Sequence, residues 1–176
     1  MKKLMPLLTA ILIGLSLLGC DPEETFYFYS YRIIFQNDTD KKIKLIYYDL
    51  NSDGTGIESI IDTFILNSNA RIYFGDGASK ESILEDNFEL IIKEAVNIFN
   101  NTPNDSKFEL YVENEFIKEW KGKANYLGNT INSPYNYDSW ELVKYEKVLN
   151  PSYGEFIYGE IIFTIRDEDL EVKEKE

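Results

Sequence analysis

The stretch that most constrains this chain runs from Tyr27 to Phe35. Tyr27, Tyr29, Tyr31, Ile33 and Phe35 recur at every second position, the period of a strand rather than of a helix. An extended segment puts those five side chains on one face, and a face that apolar has to be buried against a second layer. After the turn cluster Asn37-Asp38-Thr39-Asp40 the alternation resumes at Ile43, Leu45 and Tyr47. The two runs therefore predict a long β-hairpin.

Further along, the pattern keeps producing short strands. Asp49 to Gly56 reads as a loop, Ile57 to Leu66 as a third strand and Arg71 to Phe74 as a fourth. Asn67-Ser68-Asn69 turns between those two. The period then changes. Leu84, Phe88, Ile91, Ile92, Ala95 and Phe99 fall at three- and four-residue steps, which predicts one amphipathic helix from Ser82 to Phe99. Ser82 with Glu85 would form its capping box. Strands return at Phe108, Leu110 and Val112, then, after Glu113-Asn114-Glu115, at Phe116, Lys118 and Trp120. An irregular stretch, 121–138, precedes a last hairpin of Trp140 to Leu149 and Glu155 to Arg166, turning on Asn150 to Gly154. In its second strand Ile157, Ile161, Phe163 and Ile165 are expected on one face, and Asp167 to Glu176 is expected to fray. With 13 Tyr and 11 Phe in the chain, enrichment in aromatic and β-branched residues also favours strands. The expected class is mainly β: an antiparallel β-sandwich, Ig-like or related, with one amphipathic helix inserted. An α+β arrangement is the alternative.

The start of the chain has a different character. Met1-Lys2-Lys3 is basic, and the apolar run from Leu4 to Leu18 covers about 15 residues, short of the roughly 20 a spanning helix needs. That combination reads as a signal peptide, to be set apart from the fold. The run ends on Leu17-Leu18-Gly19-Cys20, and Cys20 is the only cysteine. This motif resembles the lipobox of bacterial lipoproteins. The resemblance implies cleavage before Cys20 and acyl chains such as palmitate on the new N-terminus. The expected organisation is 1–19 signal peptide, 20–25 acidic tether, 26–170 one β-rich domain and 171–176 charged tail.

Glu23 and Glu24 resemble the export signal that Bacteroidota lipoproteins carry to the outer face of the outer membrane. Asp21, directly after the cysteine, resembles the enterobacterial signal for inner-membrane retention instead. The segments Asn37-Asp38-Thr39-Asp40 and Phe163-Thr164-Ile165-Arg166-Asp167-Glu168-Asp169-Leu170 are similar to small Bacteroidota-type lipoproteins. That likeness implies a location and a β-rich fold, and no chemistry. The expected location is the outer membrane, lipid-anchored and surface-exposed.

Composition narrows the function. The net charge is −13, and removing Lys2 and Lys3 makes the mature chain more acidic still. Such a surface repels phosphate backbones, so nucleic acid is not an expected partner. There is no histidine, which removes Ser-His-Asp and Cys-His catalysis. With one cysteine there is neither a disulfide framework nor a CxxC site. Asp49-Leu50-Asn51-Ser52-Asp53-Gly54 matches the first half of a calcium loop. The bidentate carboxylate belongs at position twelve, where Ile60 stands, so a polar loop explains the residues better. Glu113 with Glu115, or Glu119 with Glu141, could be cast as a glycosidase pair. Solvated charge that keeps strand edges soluble is the better explanation of them.

The aromatic loop is the stronger binding candidate. Tyr126, Tyr135, Tyr137 and Trp140 lie in or beside a stretch rich in Gly, Asn and Ser. Exposed rings with neighbouring amides suit sugars, and they suit protein hot spots as well. Alternatively these rings pin the long loop to the sheet with their polar tips outward. The expectation is a lipid-anchored envelope protein of binding or structural role, not an enzyme, with no cofactor and no metal. A carbohydrate-binding lipoprotein using the 126–140 segment is the alternative.

Overall fold

The computed structural model describes residues 27–49, 59–100, 106–122 and 132–171. They form a sandwich of two four-stranded sheets. Sheet A holds β1 (Phe28–Asn37), β4 (Arg71–Gly77), β7 (Trp140–Leu149) and β8 (Glu155–Ile165), in the order β4-β1-β8-β7. Sheet B holds β2 (Ile43–Asp49), β3 (Ser59–Leu66), β5 (Ser106–Val112) and β6 (Glu115–Lys121), in the order β3-β2-β5-β6. The expected mainly-β sandwich is what forms. Sheet A is mixed rather than purely antiparallel, because β1 and β8 run parallel.

The opening hairpin does not form. β1 pairs with β4 and β8, whereas β2 pairs with β3 and β5. Residues 38–42 carry the chain from one sheet to the other, and 67–70 do the same between β3 and β4. Both runs are apolar on the side that must be covered, and each covers the core from its own sheet rather than lying beside the other. Asn37 makes the crossing. It is fully buried, and its Nδ2 donates to the carbonyls of Lys41 (2.7 Å) and Asn67 (2.9 Å). Its Oδ1 accepts from Thr39 N (3.1 Å) and Thr39 Oγ1 (2.8 Å). One side chain thus ties the two crossings together.

The core between the sheets is built from rings. Phe35 sits within 6.2 Å, centroid to centroid, of Phe64, Phe74, Phe99, Phe108, Trp140 and Phe163. Tilted and edge-on pairs of this kind add to the gain from burying the rings.

The predicted helix is broken in two, α1 (Lys80–Leu84) and α2 (Phe88–Asn100). Asp86 between them has a positive φ of 57°. Ser82 is not the cap. Ser79 caps α1, accepting from Ser82 N, and the Asn87 side chain accepts from Leu90 N (3.1 Å) at the start of α2. Two good N-cap residues at this spacing favour two starts over one continuous helix. Ile91, Ala95, Val96 and Phe99 still face the core, while Leu84 and Phe88 at the break stay exposed. α2 packs so close to β4 that a Cβ on Gly77 would lie 2.9 Å from Ala95 Cβ.

The second strand of the closing hairpin changes face part-way. Its register against β1 slips between Ser30 and Arg32, so Ile157 stands opposite Ser30 while Ile161 and Phe163 stand opposite Ile33 and Phe35. Ile161, Phe163 and Ile165 are in the core; Ile157 turns to the other side, against the expectation of one continuous row. A single extra residue inverts the facing of everything before it. Nor does all of the acidic end fray. Asp167–Leu170 forms α3, and Asp169 is buried, accepting from Lys118 Nζ (2.6 Å), Asn132 Nδ2 (2.6 Å) and Arg166 N (3.0 Å).

Candidate functional site

The bulge in β8 gives the end of sheet A where β1 begins two usable surfaces. On one side Tyr29 and Phe156 stack at 5.2 Å, with Tyr27 beyond Phe156 at 5.9 Å and Tyr158 beyond Tyr29 at 6.3 Å. The Lys80 ammonium lies 5.0 Å over the Tyr29 ring. The strip arises because Tyr27 and Tyr29 continue the inward face of β1 while Phe156 and Tyr158 precede the slip in β8.

On the other side lies an open groove of about 480 Å³. Phe28, Ser30 and Arg32 of β1 form its floor, Tyr73 and Asp76 of β4 one wall, and Glu155, Ile157 and Pro151 the other. Phe28 and Tyr73 are largely exposed. Register places Arg32 between Asp76 on β4 and Glu160 on β8, yet both carboxylates are engaged elsewhere. Asp76 accepts from Tyr73 OH (2.8 Å), and Glu160 accepts from Arg71 (2.7 Å) and Tyr145 OH (2.9 Å). Arg32 forms no ion pair among the described residues. Its guanidinium is left with donors to offer in a groove edged by two aromatic rings. Burial and the Asp76 carboxylate hold the Tyr73 phenol above its ordinary range, so it stays a protonated donor at neutral pH.

The residues singled out in sequence are placed elsewhere. Tyr126 lies outside the described residues, as do residues 50–58, which hold all of the calcium-like loop except Asp49. Tyr135 is fully buried. The Ser106 hydroxyl spends its proton on Phe99 O (2.9 Å), so Tyr135 OH donates to Ser106 Oγ (2.9 Å). Burial drives the Tyr135 phenol far up. Trp140 is buried too, stacked on Phe99 at 5.8 Å with Nε1 donating to Pro134 O (3.0 Å). Tyr137 is half-buried and donates to Asn97 Oδ1 (3.0 Å). The structure brings Tyr135, Tyr137 and Trp140 together around the helix α2 as packing, and neither Tyr135 nor Trp140 offers a free ring face. Glu119 and Glu141 stand on different sheets, and Glu113 and Glu115 flank an exposed turn.

Sequence reasoning missed Arg32, Tyr73 and Phe28. Arg32 is the one basic residue in β1, and its place among aromatic neighbours was the available signal. No helix among the described residues is long and apolar enough to cross a membrane. A scan against protein-family models and searches of curated proteins and of solved structures each returned no match.

Proposed function

We propose that this chain is a lipid-anchored lipoprotein of the cell envelope, carried on the outer membrane and facing outward. In this reading its sandwich domain binds a partner and performs no catalysis. Cys20, the only cysteine, at the end of a short apolar leader, supports the anchor. The observation that carries the binding role is the groove on sheet A, where Arg32 has no ion-pair partner among the described residues and Phe28 and Tyr73 expose their rings.

A carbohydrate partner is the second reading, moved from the 126–140 segment to this groove. Phe28 and Tyr73 offer ring faces to the apolar CH faces of a sugar. Arg32, Asp76 and Glu155 offer planar donors and acceptors to its hydroxyls. Two experiments test these readings. Protease shaving of intact cells should digest the anchored protein, with a Cys20→Ala control released from the membrane fraction; protection from protease contradicts outward exposure. A glycan array probed with the mature protein should show binding that Arg32→Ala and Tyr73→Ala abolish. If those variants bind as well as the parent, the sugar does not use this groove.

A further inference from the structure

Exposed large apolar side chains meet at the end of sheet A where β1 begins. Tyr153 is 86% exposed, Phe28 68%, Tyr27 50% and Leu149 41%. They belong to one end of sheet A. Phe28 N donates to Gly154 O (2.6 Å), Phe28 pairs with Glu155, Leu149 pairs with Ile157, and the Tyr27 ring lies 5.9 Å from Phe156. A soluble domain has no reason of its own to gather large rings at a strand end and a turn, where each remains in water.

We infer that this end, led by Tyr153, Tyr27 and Leu149, with Phe28 left to the groove beside it, seats on the lipid surface that holds the anchor. The inference rests on the lipid-anchored reading above. Tyr27 lies seven positions after Cys20, a span of at most about 25 Å when fully extended. An acylated Cys20 therefore keeps this end of the domain within reach of the headgroup layer. Tyrosine and phenylalanine rings flanked by polar backbone suit that layer, where one edge is apolar and the other wet. The interface is modest, which fits a domain already held by lipid: confinement raises its effective concentration at the surface without any strong affinity of its own. Charge selects the surface. Glu155 and Asp76 lie beside Phe28 and the whole chain is acidic, so the matching bilayer is zwitterionic rather than anionic. Seated this way, the mouth of the sheet A groove opens beside the membrane.

The full-length lipidated protein, reconstituted in phosphatidylcholine vesicles brominated near the headgroup end of their acyl chains, tests this. Both native tryptophans, Trp120 and Trp140, are buried, so a Tyr153→Trp variant reports on its own position. Phe116→Trp is the control. Phe116 pairs with Tyr111, which pairs with Lys44 near the start of β2, at the end remote from Phe28. Bromination should roughly halve the added emission of Tyr153→Trp, as expected for a ring in the interfacial layer, and leave Phe116→Trp unchanged. Protein that stays on the vesicles while Tyr153→Trp is not quenched overturns the seating and leaves the anchor standing. Protein that fails to associate with vesicles overturns both. Equal quenching at the two positions also overturns it, because the domain would then lie on the bilayer without this orientation.

Discussion

At the scale of single residues, polar groups buried in the crossings between sheets do more to define this fold than their number suggests. Asn37 satisfies carbonyls on both crossings while accepting two bonds from Thr39. Leaving several buried groups unpaired costs about 1–3 kcal/mol each. Asn37→Ala should therefore lower stability by about 3 kcal/mol, and Asn37→Asp, which cannot donate, by a similar amount; urea denaturation reads both. Two carboxylates make stability depend on pH. Burial acts to raise the Glu94 carboxyl, but hydrogen bonds from Ser82 and Ser79 outweigh it and hold the group below its ordinary range. Burial likewise opposes, and bonds from Lys107, Tyr111 and Tyr48 overcome, in the lowering of Glu109. A folded-state value below the unfolded one means that the stabilisation is present above the unfolded carboxylate range. It is lost as pH falls through the lower, folded value. Thermal melts should fall on the acid side, and Glu94→Gln should flatten that limb; an unchanged slope contradicts the account. The same bond to Glu109, with burial, pushes Tyr111 up to about 12.

Among the elements, β8 carries the most information. Its slip lets Phe156 and Tyr158 join the ring strip while Ile161, Phe163 and Ile165 stay in the core. Gly159 permits it, because a Cβ there would lie 2.1 Å from Val143 O and 2.9 Å from Tyr31 Cε1. Gly159→Ala should cost about 3 kcal/mol or more, as expected for a forced overlap, and guanidinium titration measures it. α3 works as a clasp. Asp169→Ala strips Lys118 and Asn132 of a buried partner, and losing one side of such a pair costs about 3–5 kcal/mol. Differential scanning calorimetry should show a correspondingly lower Tm; an unchanged Tm would falsify the clasp. The strands themselves were legible in the alternation, since Tyr31, Ile33 and Phe35 keep one face throughout β1. The break in the helix was legible only in part. Ser79 and Asn87 are of residue types that cap helices, but their use in place of Ser82 depends on where Glu94 sits, bonding both Ser79 and Ser82.

For the molecule as a whole, what sequence could not reveal was pairing. Alternation states which face is buried and says nothing about whether the next run lies beside a strand or across from it. Residues 38–42 look like a hairpin turn, yet they form a crossing that the buried Asn37 side chain ties to Asn67. The same blindness misplaced the binding candidates. Tyr135 and Trp140 look like loop aromatics available to a ligand, and both are consumed by packing against Phe99 and Phe108. Phe28, Arg32 and Tyr73 looked like ordinary strand residues, and two neighbouring strands bring them into one groove. The central claim is that Cys20 anchors this domain to a membrane. The mass of the N-terminal peptide of the mature, membrane-extracted protein tests it most directly. The account predicts a peptide beginning at Cys20 and heavier by its acyl chains. A peptide that begins elsewhere, or that carries Cys20 as a free thiol, contradicts it.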